Sequence, residues 1–161
     1  MVFKFKAQQT RARNSKGNEM STINFKVIST GVLPLKSTPG SAAYDIYAAE
    51  GGTIKAGGGK VFLTGLIPDM PEGWVMLLFS RSGMGFNNDI RLSNSVGVID
   101  SDYRGEIKVK LRNDSDVDYH VLAGDRIAQA MFMRVPEVQL MRVASVSGTQ
   151  RGEGGFGSTG D

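Results

Sequence analysis

Between Asn94 and Leu111 the chain reads NSVGVIDSDYRGEIKVKL, two extended runs around a polar bend. Val96, Val98 and Ile99 are β-branched, and in the return run Ile107, Val109 and Leu111 alternate with Glu106, Lys108 and Lys110. A period of two sends one set of side chains to a core and the other to water, which no helical period can reproduce. Asp100, Ser101, Asp102, Tyr103, Arg104 and Gly105 lie between the runs and are turn formers and reactive side chains. The segment predicts a β-hairpin that holds a carboxylate, Asp100, near solvent, a placement suited to a general base. By its residues alone, such a bend is more often a solvated turn.

The rest of the chain has the same grain. Ile23–Thr30, Tyr44–Ala48, Lys60–Ile67, Trp74–Ser80 and Val117–Leu122 are short apolar or alternating runs, separated by Pro39-Gly40, the glycine-rich Gly51–Gly59, and Pro68, Pro71 and Gly73. Lys60–Ile67 and Trp74–Ser80 are each too short for a globular helix and too rich in Val, Leu, Ile and Phe for a loop. Gly124-Asp125 reads as a tight turn before a strand carrying Arg126 and Gln129, and Val135–Val146 as one last strand, exchanged or packed at a subunit contact. Some ten short strands with little helix predict an all-β double sheet.

A chain of 161 residues suits one domain with a real core. It has no run of about 18 apolar residues, so no transmembrane helix is expected. The absence of cysteine excludes disulfides and thiolate metal sites, and fits a cytoplasmic or otherwise intracellular setting. A lone histidine, His120, argues against a zinc hydrolase or a His-based triad. The net charge is +3, but residues 1–20 hold Lys4, Lys6, Arg11, Arg13 and Lys16 against Glu19 alone. The basic character therefore belongs to the leader, and the remaining 141 residues sum to −1. The expected organisation is a disordered basic leader at 1–20, a β domain at 21–146, and a linker with a mobile glycine-rich arm at 147–161. Met20 could itself be a natural start, which leaves the leader as an alternative start, an expression remnant, a basic arm or a transit peptide.

Two more segments have chemical character. Arg81-Ser82-Gly83 can gather backbone N–H groups into an anion-binding concavity beside a planar guanidinium, often at the start of a short helix, although a plain loop is the commoner case. Arg151–Asp161, RGEGGFGSTGD, could wrap phosphates in the same way, or be only a flexible tail; it lacks the ending and setting of a Walker motif.

Taken together, LPLKSTPGSAAYDIYAAE, SRSGMGFNN, GVIDSDYRGE, AGDRIAQAMF and RGEGGFGSTGD resemble, in order and spacing, the five signature motifs of the trimeric dUTP diphosphatases, the dUTPases. Ala43 and Ser80 stand where that family commonly has glycine and proline. The resemblance implies a jelly-roll-like fold, a homotrimer with active sites shared between subunits, and hydrolysis of dUTP to dUMP and pyrophosphate. This limits uracil in DNA and supplies dUMP for dTMP synthesis. It implies Asp100 as the base that activates water for attack on the α-phosphorus. Arg81, Ser82 and Gly83 would meet the phosphates, and Gln129 the phosphates and the attacking water. The uracil would meet the Asn94 side-chain amide and, largely through backbone groups, Val98, Ile99 and Lys108. Tyr103 would lie under the deoxyribose and leave no room for a 2′-hydroxyl. Arg151 would reach the terminal phosphate, Phe156 stack over uracil, and Gly157, Ser158 and Thr159 close around the phosphates. Asp45 and Arg126 would support the site. Mg²⁺ would be held by the substrate's phosphates rather than by protein ligands.

Two rivals share features with this reading. A dCTP deaminase has a similar hairpin, but it places a catalytic glutamate where this chain has Lys110, and its second motif continues differently from SRSGM. A β module could instead bind nucleic acid through the basic leader, alone or in addition to an enzymatic role. No membrane partner is expected.

Overall fold

The computed structural model describes residues 24–27 and 31–156, so the leader at 1–20 and Gly157, Ser158 and Thr159 lie outside the described residues. In chain order the elements are β1 (Asn24–Val27), β2 (Tyr44–Tyr47), β3 (Gly52–Ile54), β4 (Gly59–Leu63), β5 (Leu66–Asp69) and β6 (Trp74–Phe79). There follow α1 (Ser82–Asn88), β7 (Ile90–Leu92), β8 (Val96–Asp100), β9 (Lys108–Asn113), β10 (Tyr119–Val121) and β11 (Arg126–Arg134). The all-β class is therefore observed, and α1 is the only helix among the described residues.

Two sheets do most of the work. One has the strand order β2-β11-β6-β8 and the other β4-β9-β7, with the pairs β1-β5 and β10-β3 beside them. The named pairings are antiparallel. Alternation decides what each sheet buries. Ile46, Met76, Leu78, Ala128 and Ala130 point inward from the first, and Phe62, Val109, Leu111, Ile90 and Leu92 from the second. The inward side chains meet in a single buried cluster that includes Ile54, Leu66, Ile107, Val121 and Ile127. Asn113 is the polar exception on β9, fully buried, and it is satisfied: its Nδ2 donates to Ile54 O at 3.2 Å and Val117 O at 2.7 Å.

Lys60–Ile67, expected as one strand, is broken at Thr64-Gly65 into β4 and β5, where Gly65 takes a positive φ of 69°. Two further expectations need correction. Asn94–Leu111 is not a hairpin, because β8 pairs with β6 and β9 pairs with β4 and β7. The Asp100 bend instead carries the chain from one sheet to the other. Alternation specifies which side chains face the core, and both strands obey it, but it does not name the pairing partner. Val135–Val146 forms no strand; the chain leaves β11 at Arg134 and runs without regular structure, with Val138, Leu140, Met141 and Val146 exposed. A β-prone sequence needs a neighbouring edge to pair with, and among the described residues this segment joins no sheet. Among the described residues, no helix is long and apolar enough to cross a membrane.

Candidate active site

The segment after β6 turns into α1 at Arg81, whose backbone is extended (φ −82°, ψ 133°). The helix is short, anchored by buried Met84 and ended by Asp89 in the left-handed conformation, its N–H bonded to Met84 O. Around Arg81 the structure gathers charged groups from distant parts of the sequence. Its Nη1 donates to Arg126 O at 2.7 Å, and its Nε lies 3.7 Å from Asp45 Oδ1. The second Asp45 oxygen, Oδ2, accepts from Arg126 Nη1 at 3.2 Å and from Ser37 Oγ at 2.9 Å. One largely buried carboxylate thus holds two guanidiniums at the start of the Arg81-Ser82-Gly83 segment. Nothing lies within 4 Å of the space a Cβ would fill on Gly83, so that segment is open to an approaching ligand.

Gln129, on β11, donates from Nε2 to Ser80 O at 2.9 Å. It lines an open pocket of about 470 Å³ with Ala43, Phe79, Ser80, Ser95 and Met131. Asp45, Arg81, Arg126 and Gln129, with Ser82 and Gly83 beside them, are therefore brought together. Ser37 and Ser80 complete this group, and residue-by-residue reading did not single them out as site residues. The available signal was position: Ser37 lies inside the same segment as Asp45, and Ser80 immediately before Arg81.

Asp100 is elsewhere. It ends β8 opposite Val75 and lines a groove of about 560 Å³ with Met70, Glu72, Ser101, Asp102 and Arg104. The bend is tied down: Tyr103 N–H donates to Asp100 O at 3.2 Å, and Arg104 Nη1 to Ser101 O at 2.7 Å and Tyr103 O at 3.0 Å. Tyr103 Oη donates to Glu106 O at 3.0 Å, laying the ring over Gly105, where a Cβ would collide with the phenol. Gly105 was read only as a turn former, and the structure gives it this second duty. Asn94 lies in the turn before β8, Val98 and Ile99 on it, and Lys108 opens β9. Val98 is mostly exposed.

The two halves do not meet within one chain. Registers place Asp45, Gln129, Phe79 and Val96 in one cross-strand row, then Met131, Leu77 and Val98, then Met133, Val75 and Asp100. Gln129 and Asp100 are two strands and four residues apart, roughly 16 Å at ~4.8 Å per strand and ~3.3 Å per residue. Arg151 donates from Nε to Gly154 O at 2.8 Å, and Phe156 is fully exposed. Neither is brought to Arg81 or Asp100 by a hydrogen bond or ion pair among the described residues. No cluster of three or more His, Asp or Glu able to hold a metal occurs among the described residues.

Comparison with known proteins decides the family. The family model for dUTPase matches residues 30–160. The chain belongs to the dUTPase family. A deoxyuridine 5'-triphosphate nucleotidohydrolase of Anaplasma marginale (strain St. Maries) is 45% identical over 130 residues, covering 80% of this chain and 88% of that protein. One of Helicobacter hepaticus (strain ATCC 51449 / 3B1) is 42% identical over 135 residues, covering 84% and 85%. Among solved structures, the dUTPase of Staphylococcus bacteriophage 80alpha with dUPNHPP matches with a TM-score of 0.82 at 27% identity, covering 88% of this chain and 100% of that one. Lys110, an exposed cation on β9 of this dUTPase, supplies no carboxylate for the deaminase alternative.

Proposed function

We propose that this dUTPase hydrolyses dUTP to dUMP and pyrophosphate at sites assembled between subunits of a homotrimer. The observation that carries the assembly is the outer face of the β2-β11-β6-β8 sheet. Val75, Leu77, Phe79, Val96, Val98, Met131 and Met133 make it apolar, and it has Asp45 and Gln129 at one end and Asp100 at the other. A contiguous apolar face edged by charged groups has the character of a docking surface. A second copy seated on it can bring its Asp100 to the Arg81 cluster and Gln129 of the first, whereas within one chain Gln129 and Asp100 are roughly 16 Å apart.

In that site the Arg81 guanidinium, held by Asp45, takes the phosphate oxygens with Ser82 and Gly83. Asn94 and the backbone of Val98, Ile99 and Lys108 receive uracil, and Tyr103 packs under the deoxyribose. Arg126 keeps Asp45 and Arg81 in place. Asp100 takes a proton from water as its oxygen attacks the α-phosphorus; the bond to the bridging oxygen breaks and pyrophosphate leaves with the electron pair. The groups around Arg81 are phosphate-binding donors rather than a carboxylate cage, which fits Mg²⁺ arriving on the triphosphate as part of the substrate. Arg151 and Phe156, with Gly157, Ser158 and Thr159, close over the bound nucleotide and the attacking water and exclude bulk solvent.

A steady-state panel of dUTP, dTTP, UTP and dCTP tests the activity. The expected result is a strong preference for dUTP in kcat/KM; comparable efficiency on UTP or dCTP would overturn the assignment.

A further inference from the structure

Ser80 joins three elements through two hydrogen bonds. Its Oγ accepts the backbone N–H of Leu92 at 2.9 Å, and its carbonyl accepts Gln129 Nε2 at 2.9 Å. The first bond closes the neck of the segment that leaves β6, forms α1 and returns as β7. Leu92 is 2% exposed, so water does not readily replace Ser80 as the partner of its N–H. The second bond reaches across to β11, where Gln129 lies in register with Phe79, the residue before Ser80.

We propose that Ser80 is a positioning residue for the hydrolytic step: its tethered hydroxyl fixes the peptide carbonyl that orients the Gln129 amide. The proposal rests on the reading of Gln129 as a group beside the attacking water. A side-chain amide has two different ends, and which end faces the water decides what it can do. With Nε2 committed to Ser80 O, the Gln129 Oε1 is the end left to face the pocket as an acceptor. Oε1 accepts a hydrogen bond from one O–H of the water, which keeps that proton and has its oxygen lone pair aimed at phosphorus, while the other proton is transferred to Asp100. A turned amide would donate to that lone pair and blunt the nucleophile. Alanine at position 80 removes the tether, frees the carbonyl and lets the amide turn.

The test is a double-mutant cycle of Ser80→Ala and Gln129→Ala, read in kcat and KM for dUTP. Ser80→Ala should lower kcat about tenfold with KM held within about twofold, because substrate binding by Arg81 does not need the Gln129 orientation. In the Gln129→Ala background the same change should lower kcat no further. Ser80→Thr, which keeps the hydroxyl, should restore turnover, and its near-isostere Ser80→Val should not; this pair carries the test if Ser80→Ala does not fold. Wild-type kcat in the folded hydroxyl-free variants overturns the proposal, as does an equal loss in both backgrounds. The latter leaves the role of Gln129 standing. If Gln129→Ala itself turns over normally, the reading of Gln129 falls, and the proposal with it.

Discussion

At the residue scale, the site's side chains are set by neighbours that have no chemistry of their own. Gly105 is the sharpest case. A Cβ there would come within 2.6 Å of Tyr103 Cζ, so the tyrosine can lie across the bend only because residue 105 has no side chain. Gly105→Ala must push the ring away, and the ring is the proposed wall against a 2′-hydroxyl. The variant should stay folded, lose dUTP efficiency by roughly tenfold, and narrow the preference for dUTP over UTP. The readout is kcat/KM for both nucleotides, and an unchanged ratio would remove Tyr103 from sugar discrimination. Asp45 is a comparable neighbour. Its legibility in the sequence came from its segment, whereas its two arginine partners came together only in the fold, one of them 36 residues away and the other 81.

At the element scale, the chain announced its strands better than their partners. Short apolar or alternating runs predicted β2, β6, β9 and β10 closely, because burial is written into each strand separately. Pairing is a property of two strands, and the β8–β9 hairpin reading failed on that account. What directs β9 away is visible only in three dimensions. At the corner between β4 and β5, Thr64 Oγ1 donates to Ile107 O at 2.7 Å and accepts Leu66 N–H at 3.2 Å. Gly65 N–H donates to Glu106 Oε1 at 2.8 Å, and Ile107 N–H to Leu66 O at 2.8 Å. These bonds seat the start of β9 on the second sheet and so fix the far side of the Asp100 bend. Thr64 is fully buried. Thr64→Val keeps the shape and strands two backbone groups, so it should cost about 1–3 kcal/mol of stability. Chemical denaturation measures this, and a change of less than about 0.5 kcal/mol would show that the corner is held by other means. The sequence also could not announce that Val135–Val146 joins no sheet among the described residues.

At the scale of the whole molecule, the outward faces of the two sheets differ. The β4-β9-β7 sheet shows water Lys108, Lys110, Arg112 and Arg91, the last two sharing Asp114 at 2.6 Å each. Those guanidiniums hold the Asp114 carboxyl below its ordinary pKa. The β2-β11-β6-β8 sheet shows an apolar face edged by the proposed site. In the proposed assembly a monomer would leave that face bare and the chemistry split, and copies docked on one another would cover it and complete the site. The most direct measurement mixes two inactive variants, Asp100→Asn and Arg81→Ala, unfolded together and reassembled in equal amounts. Asp100→Asn cannot take the proton and should lose roughly 10²–10⁴ in kcat on its own. Across all the trimers formed from an equal mixture, a site that draws its aspartate from one chain and its arginine from another is intact roughly one time in four, so about a quarter of wild-type activity should return. If confirmed mixed trimers stay as inactive as their parents, Asp100 and Arg81 do not serve one site from two chains, and the shared active site is wrong.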